Sequence, residues 1–173
     1  MFLYLVQHAE AKKEEEDPAR PLSEKGLKDI RKATFHLSRL DIGIEQILHS
    51  NKLRARQTAE VLSGNLKPSK GLRESDGLAP LDDPKIWEER LKSKAEALML
   101  VGHLPHLGRL TSLLICGEPE RNVVSFKMAG VVCLERGERD GWSLRWMVIP
   151  DILPDLKTYG RDDSDIYSED LGL

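Results

Sequence analysis

The sequence predicts an α/β protein, a three-layer α/β/α sandwich around a mostly parallel central sheet with an antiparallel edge. Three observations carry the prediction. The runs "FLYLV", "EQILHS" and "EALMLVGH" read as strands, two of them continuously apolar as in strands buried on both faces. Each is followed by a segment with helical spacing, and this alternation builds parallel sheets covered on both sides. Near residue 140, "RDG" stands between two apolar stretches, close to the Asp-Gly signature of a hairpin. A chain of 173 residues with 40% hydrophobic and 32% charged content suits one domain of ordinary globular composition. That domain is expected over residues 1–150, with an acidic tail over 151–173 that packs on the surface or is partly mobile.

The elements follow in order. "FLYLV" is the first strand, and "KKEEEDPARP" is a polar loop whose charge run is solvated surface. "LSEKGLKDIRKATFHLSRL" places Leu27, Ile30, Ala33 and Leu37 on one face of an amphipathic helix. "EQILHS" is the second strand, leading to a helix in "KLRARQTAEVLSG" with Gly64 as its expected C-cap. "LRESDGLAPLDDP" reads as a loop, and "PKIWEERLKSK" as a short helix. "EALMLVGH" is the clearest strand, and the helix "PHLGRLTSLLICG" after it has Pro105 at its first turn and Gly117 just past its end. "GVVCLERGERDGWSLRWMVIP" closes the sheet as a hairpin.

Several classes are excluded at this point. The net charge of −3 provides no broad basic surface for nucleic acid, so any anion site must be built locally. No apolar stretch approaches the roughly 18 residues that span a bilayer, and the start lacks a signal-peptide pattern, so a cytoplasmic protein is expected. Cys116 and Cys133 match no disulfide or metal spacing and read as small buried hydrophobes. The nucleophile elbow of serine hydrolases, the Walker loop and the dinucleotide glycine fingerprint are absent. A metal reading is weak: His103 and His106 lack an evident third ligand, and His8 and His103 lack carboxylate partners at metal-site spacing.

In parallel α/β sheets, sites lie beyond the carboxyl ends of the strands. His8 follows the first strand, Ser50, Asn51 and Arg54 follow the second, and His103 follows the "LMLVG" strand just before a helix. Two imidazoles, a guanidinium and helix N-termini at one sheet edge suit a phosphoryl group better than a metal or an acyl substrate. His36, His49 and His106 read as structural, and Arg56 as solvated or salt-bridged. Ser50 and Thr58 read as capping or packing groups, Ser50 being placed to orient His8.

The segments "LVQHAEA", "RPLSEKG", "HSNKLRARQTAEVL" and "LVGHLP", in this order, resemble the histidine phosphatase superfamily, also called phosphoglycerate mutase-like, and in particular its small SixA-type phosphohistidine phosphatases. The resemblance implies His8 as nucleophile, passing through a phosphohistidine intermediate that water hydrolyses. It implies Arg54 and His103 as catalytic ligands of the phosphoryl oxygens, and Gln7 and Arg20 as substrate-binding groups. No cofactor and no metal are implied. A phosphate or sulfate ion is expected to suit the site, a phosphohistidine-bearing protein is the expected partner, and a monomer is expected.

One position departs from the pattern. The superfamily hallmark is Arg-His-Gly, and this chain carries Gln7-His8-Ala9. Alanine for glycine is mild if the backbone there avoids positive φ. Glutamine for arginine replaces a charged, bidentate donor by a neutral amide. The loss is about 1–2 kcal/mol, on the order of tenfold in rate if felt only in the transition state. The expected function is hydrolysis of phosphohistidine on a protein such as a histidine-containing phosphotransfer domain. The alternatives are a small-molecule phosphomonoesterase, in which Glu74 is the proton donor, and a phosphoprotein-binding pseudo-phosphatase.

Overall fold

The computed structural model describes residues 1–138 and 141–160. Six strands form one sheet: β1 (Phe2–Gln7), β2 (Gln46–His49), β3 (Leu72–Glu74), β4 (Leu98–Gly102), β5 (Val131–Arg136) and β6 (Trp142–Val148). Their spatial order is β3-β2-β4-β1-β5-β6. The pairs β2–β3, β2–β4 and β1–β4 are parallel, whereas β1–β5 and β5–β6 are antiparallel. The sheet is therefore mostly parallel through β1 with an antiparallel edge, as the alternation predicts. The residues 139–140 of the expected hairpin turn lie outside the described residues.

Both faces of the sheet are covered, which explains the continuous apolar runs. Successive strand side chains point to opposite faces. Tyr4 and Val6 of β1, with Met99 and Val101 of β4, pack against α1 (Glu24–Ser38) and α2 (Leu53–Leu66) through Ile30, Ala33, Leu37, Ala55, Ala59 and Leu62. Leu3 and Leu5, with Leu98 and Leu100, face α3 (Lys85–Lys92) and α4 (His106–Cys116) through Trp87, Leu91, Leu107 and Leu110. Each helical layer buries its apolar face chiefly against the sheet, so the layers depend on one another.

Four expectations need correction. The "LRESDGLAPLDDP" loop begins with β3, a three-residue edge strand whose only apolar member is Leu72, too short to show a period. Helix α2 runs past Gly64 to Leu66 and ends on Lys67 in the left-handed region, because its last turn continues through Asn65 and Leu66. Cys116, the last residue of α4, is exposed, whereas Cys133 is buried as expected. Ser50 does not contact His8 but His103, as described below. The described part of the expected tail, up to residue 160, packs on the rest of the chain: Leu156 is buried, Lys32 lies 3.7 Å from Asp155, and Tyr159 packs on Phe35 and His36 of α1. The rest of the expected tail, residues 161–173, lies outside the described residues.

The start of α1 is seated on the loop after β1. Ser23 caps α1 by accepting from Gly26 N–H at 3.0 Å and donates to the Glu10 carboxylate at 2.7 Å. A Cβ at Gly26 would stand 2.0 Å from the Glu10 carbonyl oxygen. Only glycine fits there. The Gly26→Ala variant is expected to lose about 1–3 kcal/mol in urea unfolding by overpacking, and an unchanged midpoint would contradict this seating.

Candidate active site

The backbone brings three loop starts to one point. His8 N–H donates to the Gly102 carbonyl at 3.0 Å, and Ser50 N–H to the Val101 carbonyl at 3.1 Å, so the ends of β1 and β2 are both stitched to the end of β4. His103 follows β4 directly. The rings of His8 and His103 lie 4.9 Å apart, and Arg54, in the first turn of α2, reaches His8 with its Nε 3.2 Å from Nε2. The three residues expected to do chemistry are thus in one cluster, with the N-terminal ends of α2 and α4 directed at it.

The state of His8 follows from its partners. Its Nδ1 lies 2.7 Å from the Ala9 carbonyl oxygen. A carbonyl only accepts, so Nδ1 carries the proton and, in the neutral ring, Nε2 carries the lone pair. The Arg54 Nε–H donating to Nε2 agrees with that assignment. Burial pushes the His8 pKa down to about 4; the Ala9 carbonyl opposes this, and the Arg54 and Arg20 charges reinforce it. At neutral pH His8 is a neutral imidazole whose Nε2 lone pair accepts from Arg54.

His103 is 2% exposed. Its Nε2 lies 2.6 Å from Ser50 Oγ, and its Nδ1 is buried without a partner. Burial pushes its pKa down to about 3, aided by His8, Arg54 and Lys52. Burial also lowers the pKa of Arg54, followed by the nearby charge of Arg20.

Arg20 stands in the left-handed region at φ 51, in a turn where its N–H donates to the Asp17 carbonyl and its Nε to the Lys12 carbonyl at 3.3 Å. Its charge is close enough to act on both His8 and Arg54. In a chain of net charge −3, Arg54 and Arg20 thus make this corner of the sheet locally positive.

Gln7 is 7% exposed, and its Oε1 is buried without a partner. Its main chain pairs with Gly102 and its carbonyl accepts from Ala129 N–H at 3.0 Å, which fixes its backbone at the carboxyl end of β1 next to His8. Ala9 is fully buried and has no positive φ, so the missing glycine carries no strain.

Glu74 is not in this cluster. It ends β3, three strand spacings or about 14 Å across the sheet from β1, exposed and lining a neighbouring cleft with Asn51, Asp76 and Asp82. Of the other histidines, His49 Nδ1 bonds the Ser50 carbonyl, and His36 Nε2 lies 3.2 Å from the Pro154 carbonyl oxygen. His106 is fully buried, with both ring nitrogens unpartnered. Arg56 pairs with Glu60 on the outside of α2. Among the described residues, no group of His, Cys, Asp and Glu is arranged to hold a metal ion, and no helix is long and apolar enough to cross a membrane.

Sequence reading placed Thr58 among packing groups and missed its role at the site. Its hydroxyl donates to the Arg54 carbonyl at 2.7 Å and accepts from Ala9 N–H at 3.0 Å, tying the helix of Arg54 to the residue after His8. Gln57 does the same for the Arg20 segment by accepting from Leu22 N–H at 2.8 Å. The signal for Thr58 was its i+4 spacing from Arg54, which places both on one helical face.

The chain as a whole is similar to known proteins. The family profile of the histidine phosphatase superfamily (branch 1) matches residues 3–98. An uncharacterized protein of Picosynechococcus sp. (strain ATCC 27264 / PCC 7002 / PR-6) is 36% identical over 145 residues, 79% of this chain and 86% of that protein. The phosphohistidine phosphatase SixA of Escherichia coli (strain K12) is 25% identical over 155 residues, 87% of this chain and 94% of that protein. Among solved structures, the protein histidine phosphatase SixA complexed with tungstate superposes with a TM-score of 0.76 at 24% identity, over 87% of this chain and 98% of that one. With the profile spanning more than half its length, this chain belongs to the histidine phosphatase superfamily, and its fold is phosphoglycerate mutase-like.

Three imidazoles, those of His8, His103 and His106, have pKa values below their ordinary 6.5, with burial as the leading cause. The unfolded chain therefore binds more protons than the folded one at mildly acid pH. Stability is expected to fall as pH drops below about 6.5, and to keep falling until the folded values near 4 and 3 are reached. Ring signals of His8 and His103 in NMR titration should stay constant from pH 8 to about pH 5.5. An inflection near 6.5 for either ring would contradict their burial as neutral groups.

Proposed function

We propose that the protein is a phosphatase that removes the phosphoryl group from phosphohistidine on a partner protein, through an intermediate on His8. The observation that carries this reading is the neutral His8, with its Nε2 lone pair set among Arg54, Arg20 and His103. Nε2 attacks phosphorus, the substrate P–N bond breaks, and the leaving imidazole, protonated from solvent on its other ring nitrogen, departs neutral with the electron pair. Water then attacks phosphorus, the Nε2–P bond breaks, and orthophosphate leaves with the lone pair restored to His8. Throughout, Nδ1–H stays on the Ala9 carbonyl, which stabilises the positive charge that develops on the ring.

Arg54 has a double part in this reaction. Without an anion it donates to the Nε2 lone pair; an arriving phosphoryl oxygen takes that N–H over and frees the nucleophile. Arg54 and His103 then stabilise the equatorial oxygens, with Arg20 and Gln7 contributing to binding.

The substrate class is supported by what surrounds the pocket. An alkoxide leaving group benefits from a general acid, whereas a protonated imidazole departs without one. Glu74, the acid a phosphomonoesterase would use, stands at the far edge of the sheet. Only ten residues (75–84) join β3 to α3, too few for a large lid, and an open pocket suits a side chain on a protein surface. Gln7 supports the second reading, a binding module without turnover, since a neutral amide occupies the place of a charged ligand.

The two readings separate in one assay. A histidine-phosphorylated phosphotransfer domain is expected to release orthophosphate with the wild type, and His8→Ala to reduce that release by more than 10³-fold. Binding without release by the wild type would contradict the phosphatase and favour the binding module. In that event Gln7→Arg, which restores the charge, should gain turnover.

A further inference from the structure

We infer that Ser50 is a positioning residue: its hydroxyl fixes His103 as the Nδ1–H tautomer, so that a neutral imidazole presents an N–H donor to the phosphoryl group. The inference rests on the reading of the pocket as a phosphoryl site, and it follows from accounting for buried hydrogen-bonding groups.

Ser50 is 1% exposed and His103 2%. Two contacts of Ser50 Oγ stand in the structure: the His103 Nε2 at 2.6 Å, and a long one from Lys52 N–H at 3.4 Å. The Lys52 amide can only donate, so the hydroxyl oxygen is the acceptor there. The single hydroxyl proton then has one place to go, the Nε2 lone pair of His103. Nε2 is thereby an acceptor, and in a neutral ring Nδ1 carries the hydrogen.

The opposite tautomer leaves more unsatisfied. An Nε2–H would donate to Ser50, whose own proton would have no acceptor among these contacts, and Nδ1 would be a buried lone pair with no partner. A bare lone pair also repels an oxyanion. In the Nδ1–H form one buried N–H alone lacks a partner, on a ring 4.9 Å from that of His8, and the proposed partner is a phosphoryl oxygen.

The arrangement mirrors that of His8, where a main-chain carbonyl fixes the tautomer. His8 is held with Nδ1–H outward and its lone pair in the pocket as a nucleophile. His103 is held with its lone pair on a hydroxyl and its N–H free as an electrophile. The two rings, 4.9 Å apart, are given opposite tasks by two different partners.

Long-range 1H–15N NMR of the unliganded protein at pH 7 reads the tautomer directly, with the Ser50→Ala variant and titration by inorganic phosphate as companions. The expected result is a single Nδ1–H form of His103 in the wild type, and appearance of the Nε2–H form in Ser50→Ala. Affinity for inorganic phosphate should fall about tenfold in the variant, and kcat more than KM should suffer with substrate. An Nε2–H form in the wild type would overturn the assignment even if Ser50→Ala fails to fold; so would an unchanged tautomer in a folded Ser50→Ala. Because the tautomer is read without turnover, an inactive protein showing the Nδ1–H form and Ser50-dependent phosphate binding would sink the phosphatase reading alone.

Discussion

The hydrogen bond from His8 Nδ1–H to the carbonyl of Ala9 decides which nitrogen of His8 carries the lone pair, and the proposed chemistry depends on that choice. A histidine free to exchange tautomers would offer its lone pair to a substrate only part of the time. Here the acceptor belongs to the next residue of the same chain, so it cannot drift away from the ring it orients. What remains for the fold is to hold the segment Gln7-His8-Ala9 still, and most of the visible packing does so.

The centre of the sheet is where that rigidity comes from. β1 lies between β4 and β5, with one face under α1 and α2 and the other under α3 and α4. Its last residues are bonded to Gly102 on one side and Ala129 on the other. Thr58 then locks Ala9 to the carbonyl of Arg54, so the residue after His8 and the helix that carries Arg54 share one buried hydroxyl. Gly26 lets the start of α1 close over Glu10 from outside. The charges of Arg20 and Arg54 oppose one another, and the surrounding cores and hydrogen bonds hold them in place.

Much of this was legible in the sequence, for identifiable reasons. Strands buried on both faces must be apolar throughout, so β1 and β4 showed themselves as uninterrupted runs, and the polar residues after them marked the sheet edge. His8, His103 and Arg54 could be brought together from that rule. β3 could not be seen, because three residues with one apolar side chain show no period, and the place of Glu74 followed it out of reach. The partner of Ser50 was misread because both His8 and His103 stand at the same sheet edge, and only the register of β2 on β4 decides between them. The αL cap at Lys67 and the exposed Cys116 were lost to local detail at helix ends, which sequence patterns define poorly.

Gln7 puts a neutral amide at a position where the family pattern has an arginine. The proposed covalent centre is His8 Nε2. Rapid quenching of the protein with a histidine-phosphorylated phosphotransfer domain, followed by 31P NMR and mass mapping under alkaline conditions, tests this directly. The account predicts an acid-labile phosphoryl group on His8, bonded through Nε2. A phosphoryl group on Nδ1, or orthophosphate release with no phosphoryl group ever trapped on His8, would contradict it.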